Sequence, residues 1–473
     1  MTGTPDSPDR MPGPHGARSD SRAGFGSHLL PARIRAVGLL LGIFALLAPL
    51  HASALDTREF TLDNGLKGIV VRETKAPVVI VQVWYRVGSA DEKPGKTGLS
   101  HMLEHMMFQG TESVPPEQFS RIIAREGGED NASTTTDYTM YYVKLASDRL
   151  ELALKLEADR MRGLKLSEEE FKSENLVVRE ERRMRTDADP NQRMLERYRT
   201  MVFGDHPYGR PVIGTMQDIE GLTLADLSAW YQTYYAPNNA TLVVVGDVDP
   251  EATENLVRKH FTPLPAQPEI PKPRLPDPPR RETPARLEVI DKAARLPVWM
   301  AAYTVPSLAM TRDSNDAMAL DILATVLGGG GTSRLHNRLI REEALAVSAS
   351  SSYNGQAMSW EQFSLSAMPK AGADLKEIEK AVFAEVERLK KEPVPIRELE
   401  KAQNGLIAER VFTMDSIDHI AWVIGRMSLN GLDWRTMFDD YPARVRAVTS
   451  ADLQRVATRH LQPERLTVGI LKP

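Results

Sequence analysis

Apolar residues along this chain of 473 residues fall into two spacings, and the same succession of spacings occurs once in each half. Short runs dense in Val and Ile at 68–72 and 78–87 predict β-strands, and 286–290 and 298–305 repeat them, with Pro77-Val78 matching Pro297-Val298. Between these runs lie long stretches with a helical period, and each half closes on another strand-like run, 241–245 in the first and 467–471 in the second. Thr223, Asp226, Leu227, Pro237 and Thr241 recur as Thr449, Asp452, Leu453, Pro463 and Thr467, all at a constant offset of 226. That interval is the length of a domain, well beyond the roughly 20 to 50 residues of a solenoid repeat. The expected fold is α+β: two homologous sandwich domains, each an antiparallel sheet with helices packed on one face.

Nine prolines between Pro263 and Pro284 make 262–285 an extended, semi-rigid linker, so the domains are expected at 55–261 and 286–473. Residues 1–24 are rich in Gly, Pro, Ser, Asp and Arg, and carry too little apolar surface to fold. Arg33 and Arg35 then precede an apolar run at 36–50 that ends in Ala52-Ser53-Ala54, the three regions of a signal peptide. Cleavage after Ala54 leaves 419 residues, and the chain is expected to be periplasmic, without a stable membrane anchor. A retained anchor is the alternative, but about 15 apolar residues fall short of the roughly 20 that span a bilayer. There is no cysteine, which excludes disulfides, thiolate metal sites and thiol catalysis. The formal charge of −5 becomes −7 without residues 1–54, which carry five basic and three acidic side chains. No basic stripe interleaved with aromatics is present, so nucleic acid is not an expected partner.

The densest chemistry lies at His101-Met102-Leu103-Glu104-His105. Residues four apart share a helix face, so both imidazoles can reach one metal ion while Glu104 stands beside them to hold a water. This H-x-x-E-H order is the inverted form of the common zinc peptidase pattern. A third ligand has to come from elsewhere. Residues 167–187 read as a helix with Glu174 and Glu181 two turns apart on one side, and either can close a His-His-Glu set. The same helix carries enough other charge to be an ordinary solvated face.

These residues resemble the pitrilysin-like (M16) peptidases, in particular the bacterial two-domain zinc peptidases related to mitochondrial processing peptidase. The family carries H-x-x-E-H, then a glutamate ligand about 76 residues after the second histidine, with a further glutamate seven positions before it. Here that spacing falls on Glu181 and Glu174. Gly98-Leu99-Ser100, Phe108-Gln109-Gly110-Thr111, Leu156-Glu157-Ala158-Asp159-Arg160-Met161 and His206-Pro207-Tyr208-Gly209 are also similar to family text. The resemblance implies Zn2+ held by His101, His105 and Glu181, with Glu104 as general base and Glu174 supporting a ligand from behind. It also implies that the two domains close like a clamshell around unfolded peptide substrates. By the same resemblance, Asn131, Ala132, Ser133 and Thr134 form an edge strand to which an extended peptide adds through main-chain hydrogen bonds. Read from the residues alone, a plain hairpin inside the sheet is the alternative for 131–142.

The second half has no H-x-x-E-H. Its glycine run at 328–331 is either a hinge or a tight loop. The family places an arginine and, seven residues on, a tyrosine in the stretch that follows. Here Ile340 and Val347 stand in that register, with Arg341 and Tyr353 near but displaced. The departure points to a dimer, with a homologous partner subunit supplying Arg and Tyr; the competing explanation is a slipped register, with Arg341 or Tyr353 of this chain standing in for the pair. A catalytically inactive structural or peptide-binding subunit is the alternative, and the complete set His101, Glu104, His105 and Glu181 speaks against it.

Overall fold

The computed structural model describes residues 55–312 and 314–473; the leader and signal peptide expected at 1–54 lie outside the described residues. Two sheets organise the described chain. The first holds β1 (Asp56–Thr61), β2 (Lys67–Arg72), β3 (Val78–Tyr85), β4 (Glu129–Thr134), β5 (Thr139–Ala146) and β6 (Ala240–Gly246), in the order β1-β2-β6-β3-β5-β4. The second holds β7 (Ala285–Ile290), β8 (Val298–Pro306), β9 (Ala346–Ser352), β10 (Trp360–Pro369) and β11 (Leu466–Lys472), in the order β7-β11-β8-β10-β9. In each sheet one pair is parallel, β2 with β6 and β7 with β11, and every other pair is antiparallel. Five strands therefore repeat in the same order and sense, with β1 added to the first sheet. The 226-residue echo has a physical cause at its start: Thr223 with Asp226, and Thr449 with Asp452, form matching capping boxes at helix N-termini.

Alternation along the central strands assigns their two faces. Val79, Val81 and Val83 of β3, with Leu242 and Val244 of β6, pack beneath helices of their own half through Leu103, Leu154, Val257 and Phe261. Ile80 and Trp84, with Val243 and Val245, point the other way and join Ile420 and Ile424 of the Ile417–Leu429 helix. Gly425 of that helix lies against the Trp84 indole, where a Cβ would meet Nε1 at 2.2 Å. The second sheet receives the reciprocal element. Met194 and Tyr198 of the Pro190–Phe203 helix pack on Ala302 and Leu471, and the Tyr198 hydroxyl donates to the Thr467 carbonyl at 3.0 Å. Each sheet thus carries its own helices on one face, as expected, and a helix of the other half on the second. That second cover is why β3 reads as an almost unbroken apolar run and not as an alternation.

The turn at His206 ties the halves together close to β4 and β5. The Tyr208 hydroxyl donates to Asp137 and accepts from the Ser359 amide at 3.2 Å, and the Met358 amide donates to Asp137 at 3.0 Å. The buried His206 ring accepts the Tyr208 amide on Nδ1 at 3.1 Å, and its Nε2 lies 3.3 Å from the Ser359 hydroxyl. Burial, then the charge of Arg210, lowers its pKa to about 4. Because the folded value lies below the unfolded value of about 6.5, its contribution to stability is complete above that value and lost as pH falls towards 4. Urea unfolding at stepped pH should show this loss, and His206→Asn, which retains an acceptor for the Tyr208 amide, should flatten it. Parallel pH curves for the two proteins would remove His206 as the cause.

Candidate metal centre

The histidine pair sits on the Leu99–Met106 helix, whose N-terminus is fixed by two unusual contacts. Gly98 has φ +87 and abuts Gly214, φ +89; a Cβ on Gly98 would lie 2.4 Å from the Ile213 carbonyl, so a side chain is excluded both by conformation and by space. The buried Glu92 carboxylate then accepts the Gly98 amide at 2.9 Å and the Ser100 amide at 2.7 Å, satisfying donors that the first turn leaves free. Leu99, Met102, Leu103 and Met106 bury one side of the helix, which turns His101, Glu104 and His105 to the other.

The third group arrives on the Glu168–Arg182 helix, capped by the Ser167 hydroxyl, which accepts the Glu170 amide at 3.3 Å. Nε2 of His105 lies 3.3 Å and Nε2 of His101 3.7 Å from Oε2 of Glu181, and one ligand atom from each residue lies within 4.8 Å of the other two. Ligands held about 2.0–2.2 Å from a tetrahedral ion sit roughly 3.3 Å from one another, so this donor set fits a zinc-sized cation. Glu174 does not join the three. It meets Nδ1 of His105 at 3.1 Å and accepts from Gln109 at 2.8 Å. With Glu174 on Nδ1, Nε2 is the nitrogen of His105 left to face the cluster, the arrangement a carboxylate gives a histidine from behind in metal sites.

Electrostatics follow the packing. Burial opposes charge on His105, but the carboxylates of Glu174 and Glu181 outweigh it and raise the ring to about 9. Burial, then the neighbouring His105 charge, lowers His101 to about 4. The bond from His105 holds Glu181 below the usual carboxylate range. Burial raises Glu104, against a hydrogen bond from the Thr134 hydroxyl. A carboxylate raised in this way is a better proton acceptor near neutral pH.

Residues 131–134 lie on β4, paired with β5 on one side and forming the edge of the sheet on the other. Asn131 and Ser133 are exposed, whereas Thr134 turns inward to Glu104. A cavity of about 640 Å³ runs from His101, Thr134 and Glu181 to Met300, Gln362 and Ser364 of the second sheet. Neither Arg341 nor Tyr353 lines it. Arg341 turns to Asn337 at 3.2 Å, and the buried Tyr353 hydroxyl donates to the Pro306 carbonyl at 2.7 Å. Arg185, which the sequence reading passed over, does line the cavity.

Known proteins resemble the chain over nearly all its described length. Residues 69–216 match the family model for insulinase (peptidase family M16), and 221–406 match the model for the peptidase M16 inactive domain. A Helicobacter pylori protein named zinc protease PqqE is 35% identical over 446 residues, covering 92% of this chain and 98% of that one. A probable mitochondrial-processing peptidase subunit beta of Arabidopsis thaliana is 27% identical, covering 89% and 79%. The crystal structure of a protease from Helicobacter pylori superposes with a TM-score of 0.83 at 32% identity, covering 89% of this chain and all of that one. The periplasmic protease PqqL from Escherichia coli shares the fold, with a TM-score of 0.77 at 20% identity, and this chain covers 47% of it. Two topologically equivalent α+β domains, a His-His-Glu cluster in the first of them, and these matches across both halves show that the chain belongs to peptidase family M16.

Proposed function

We propose that the chain is a zinc-dependent endopeptidase acting on unfolded peptides. The observation that carries the reading is the convergence of His101, His105 and Glu181, with the Glu104 carboxylate one helical turn from the first histidine. His101, His105 and Glu181 would hold the ion. When bound in such a site, zinc lowers the pKa of water to about 7 and polarises a carbonyl. Glu104 takes a proton from the attacking water as the C–O bond forms, and delivers it to the amine nitrogen as the C–N bond breaks. Thr134 orients that carboxylate through its hydroxyl. The free edge of β4 receives an extended peptide by strand addition, which reads backbone before side chains and so selects unfolded segments.

Export to the periplasm and pairing with a homologous subunit around a chamber belong to the same reading. Among the described residues no helix is long and apolar enough to cross a membrane, and the periplasmic PqqL chain is about twice as long as the part matched here. The purified chain, from residue 55 on, should bind one zinc ion and cleave unstructured peptides. A strong chelator should remove both metal and activity, and equimolar zinc should restore both. Failure to retain zinc, or hydrolysis that persists after chelation, would overturn the assignment. Sedimentation of the active species, alone and with a homologous chain, tests the pairing.

A further inference from the structure

Peptide hydrolysis by an activated water builds negative charge on the carbonyl oxygen, and a site with no donor aimed at that oxygen forgoes a factor of about 10² to 10³ in kcat. In the second half, Arg334 pairs with Glu398 through two bonds of 2.8 Å, Arg338 with Glu343 at 2.7 Å and Arg341 with Asn337 at 3.2 Å, so each of these cations is engaged away from the cavity. Arg199 lines the cavity too, but its Nε donates to the Tyr208 carbonyl at 2.6 Å and the carboxylates beside it are Glu361 and Asp137, not the donor cluster. Arg185 is placed differently. It lies four residues after Glu181, on the π-helical turn Arg183–Asp187 that extends the glutamate's helix. The wider turn is pinned by Arg182, which is buried and bonds Glu196 at 2.9 Å, the Gly214 carbonyl at 2.6 Å and Asp187 at 3.3 Å. Single π-helical turns are frequent at functional sites.

The guanidinium of Arg185 meets Oε1 of Glu181 at 2.5 Å, while Oε2 of the same carboxylate faces the two imidazoles. One carboxylate thus separates the cation from the donor cluster by its own width. The Arg185 side chain is nevertheless 76% exposed, and Glu181 is its ion-pair partner among the described residues. A guanidinium carries five N–H donors in a fixed fork, so most of them remain free to face the cavity that Arg185 lines together with His101, Thr134 and Glu181.

We propose that Arg185 is a catalytic residue: its free N–H donors bind the carbonyl oxygen of the scissile peptide bond as negative charge develops there, so that this chain carries its own oxyanion donor and pairing with a homologous subunit is not needed to supply one. The assignment rests on the peptidase reading above. Arg185→Met should lower kcat by about 10² to 10³, with KM shifting by less than about threefold. A phosphinic peptide, which mimics the tetrahedral state, should lose affinity by the same factor, while peptide affinity measured in a Glu104→Gln background stays unchanged. Guanidinium ion added to Arg185→Ala should restore part of the rate, and should restore nothing to Glu104→Gln. Zinc affinity, titrated against a chelator, separates the roles: a fall by the same factor as kcat would reduce Arg185 to a positioning residue for Glu181 and overturn the proposal. Unchanged kcat would overturn it as well, with the peptidase reading intact so long as the unaltered chain hydrolyses peptides and Glu104→Gln does not. If neither of those two proteins hydrolyses any peptide, the peptidase reading itself falls.

Discussion

Glu104→Gln should retain one zinc ion per chain and lose peptide hydrolysis by a factor of about 10² to 10⁴, the range expected when a positioned general base is removed. The amide has the shape of the carboxylate, so helix packing around Met102, Leu103 and Met106 is undisturbed, and its oxygen can still accept the Thr134 hydroxyl. What is lost is the capacity to take a proton. The donor atoms that lie within 4.8 Å of one another belong to His101, His105 and Glu181, so metal content should be unaffected. Glu181→Gln should lose metal and hydrolysis together, because it removes the anionic member of the donor set. Metal content by mass spectrometry, beside initial rates on a fluorogenic peptide, distinguishes the two. If Glu104→Gln keeps its rate, another group is the base; if it loses zinc, Glu104 belongs with the ligands.

The cluster was legible in the sequence because helix geometry converts spacing into direction: His101 and His105 share a face by virtue of being four apart, and Glu174 and Glu181 by being seven apart. Spacing alone left the choice between those glutamates open. The structure separates them by the nitrogen each one meets, Glu174 on Nδ1 of His105 and Glu181 on Nε2. Strands dense in Val and Ile, such as β3 and β6, were readable for the same local reason. β1, β9 and β10 were not, since DTREFT, the serine-rich AVSASSS and WEQFSLSAMP owe their strand state to partners distant in sequence. The exchanged helices were hidden too, although the lack of alternation in β3 already implied cover on both faces. Arg185 escaped notice because its place depends on a π-helical turn, which no periodicity announces.

Glu157→Gln should destabilise the chain by about 3–5 kcal/mol, the cost of breaking a buried ion pair from one side. The side chains of Glu157 and Arg160 are 0% and 1% exposed, and the guanidinium makes two bonds to the carboxylate, at 2.9 Å from Nε and 2.5 Å from Nη2. Around the pair stand aromatic faces: the Arg160 carbon lies 4.2 Å from the Phe119 ring centre, 4.5 Å from Tyr141 and 5.2 Å from Phe108. Those rings favour a cation, but Nη1 of Arg160 has no hydrogen-bond partner, so Glu157 is the principal counter-charge in reach. Glutamine in its place leaves an arginine that cannot deprotonate in an apolar pocket. Glu157→Met with Arg160→Met removes both charges and should recover much of the loss, since a well-packed apolar pair often matches a buried ion pair. The pocket adjoins the metal helix through Phe108, two residues beyond its last turn, so the single variant should also weaken zinc retention. Urea unfolding of the metal-free forms measures the first effect without the second. A single variant within about 1 kcal/mol of the parent would show that the pair is solvated or the arginine otherwise compensated.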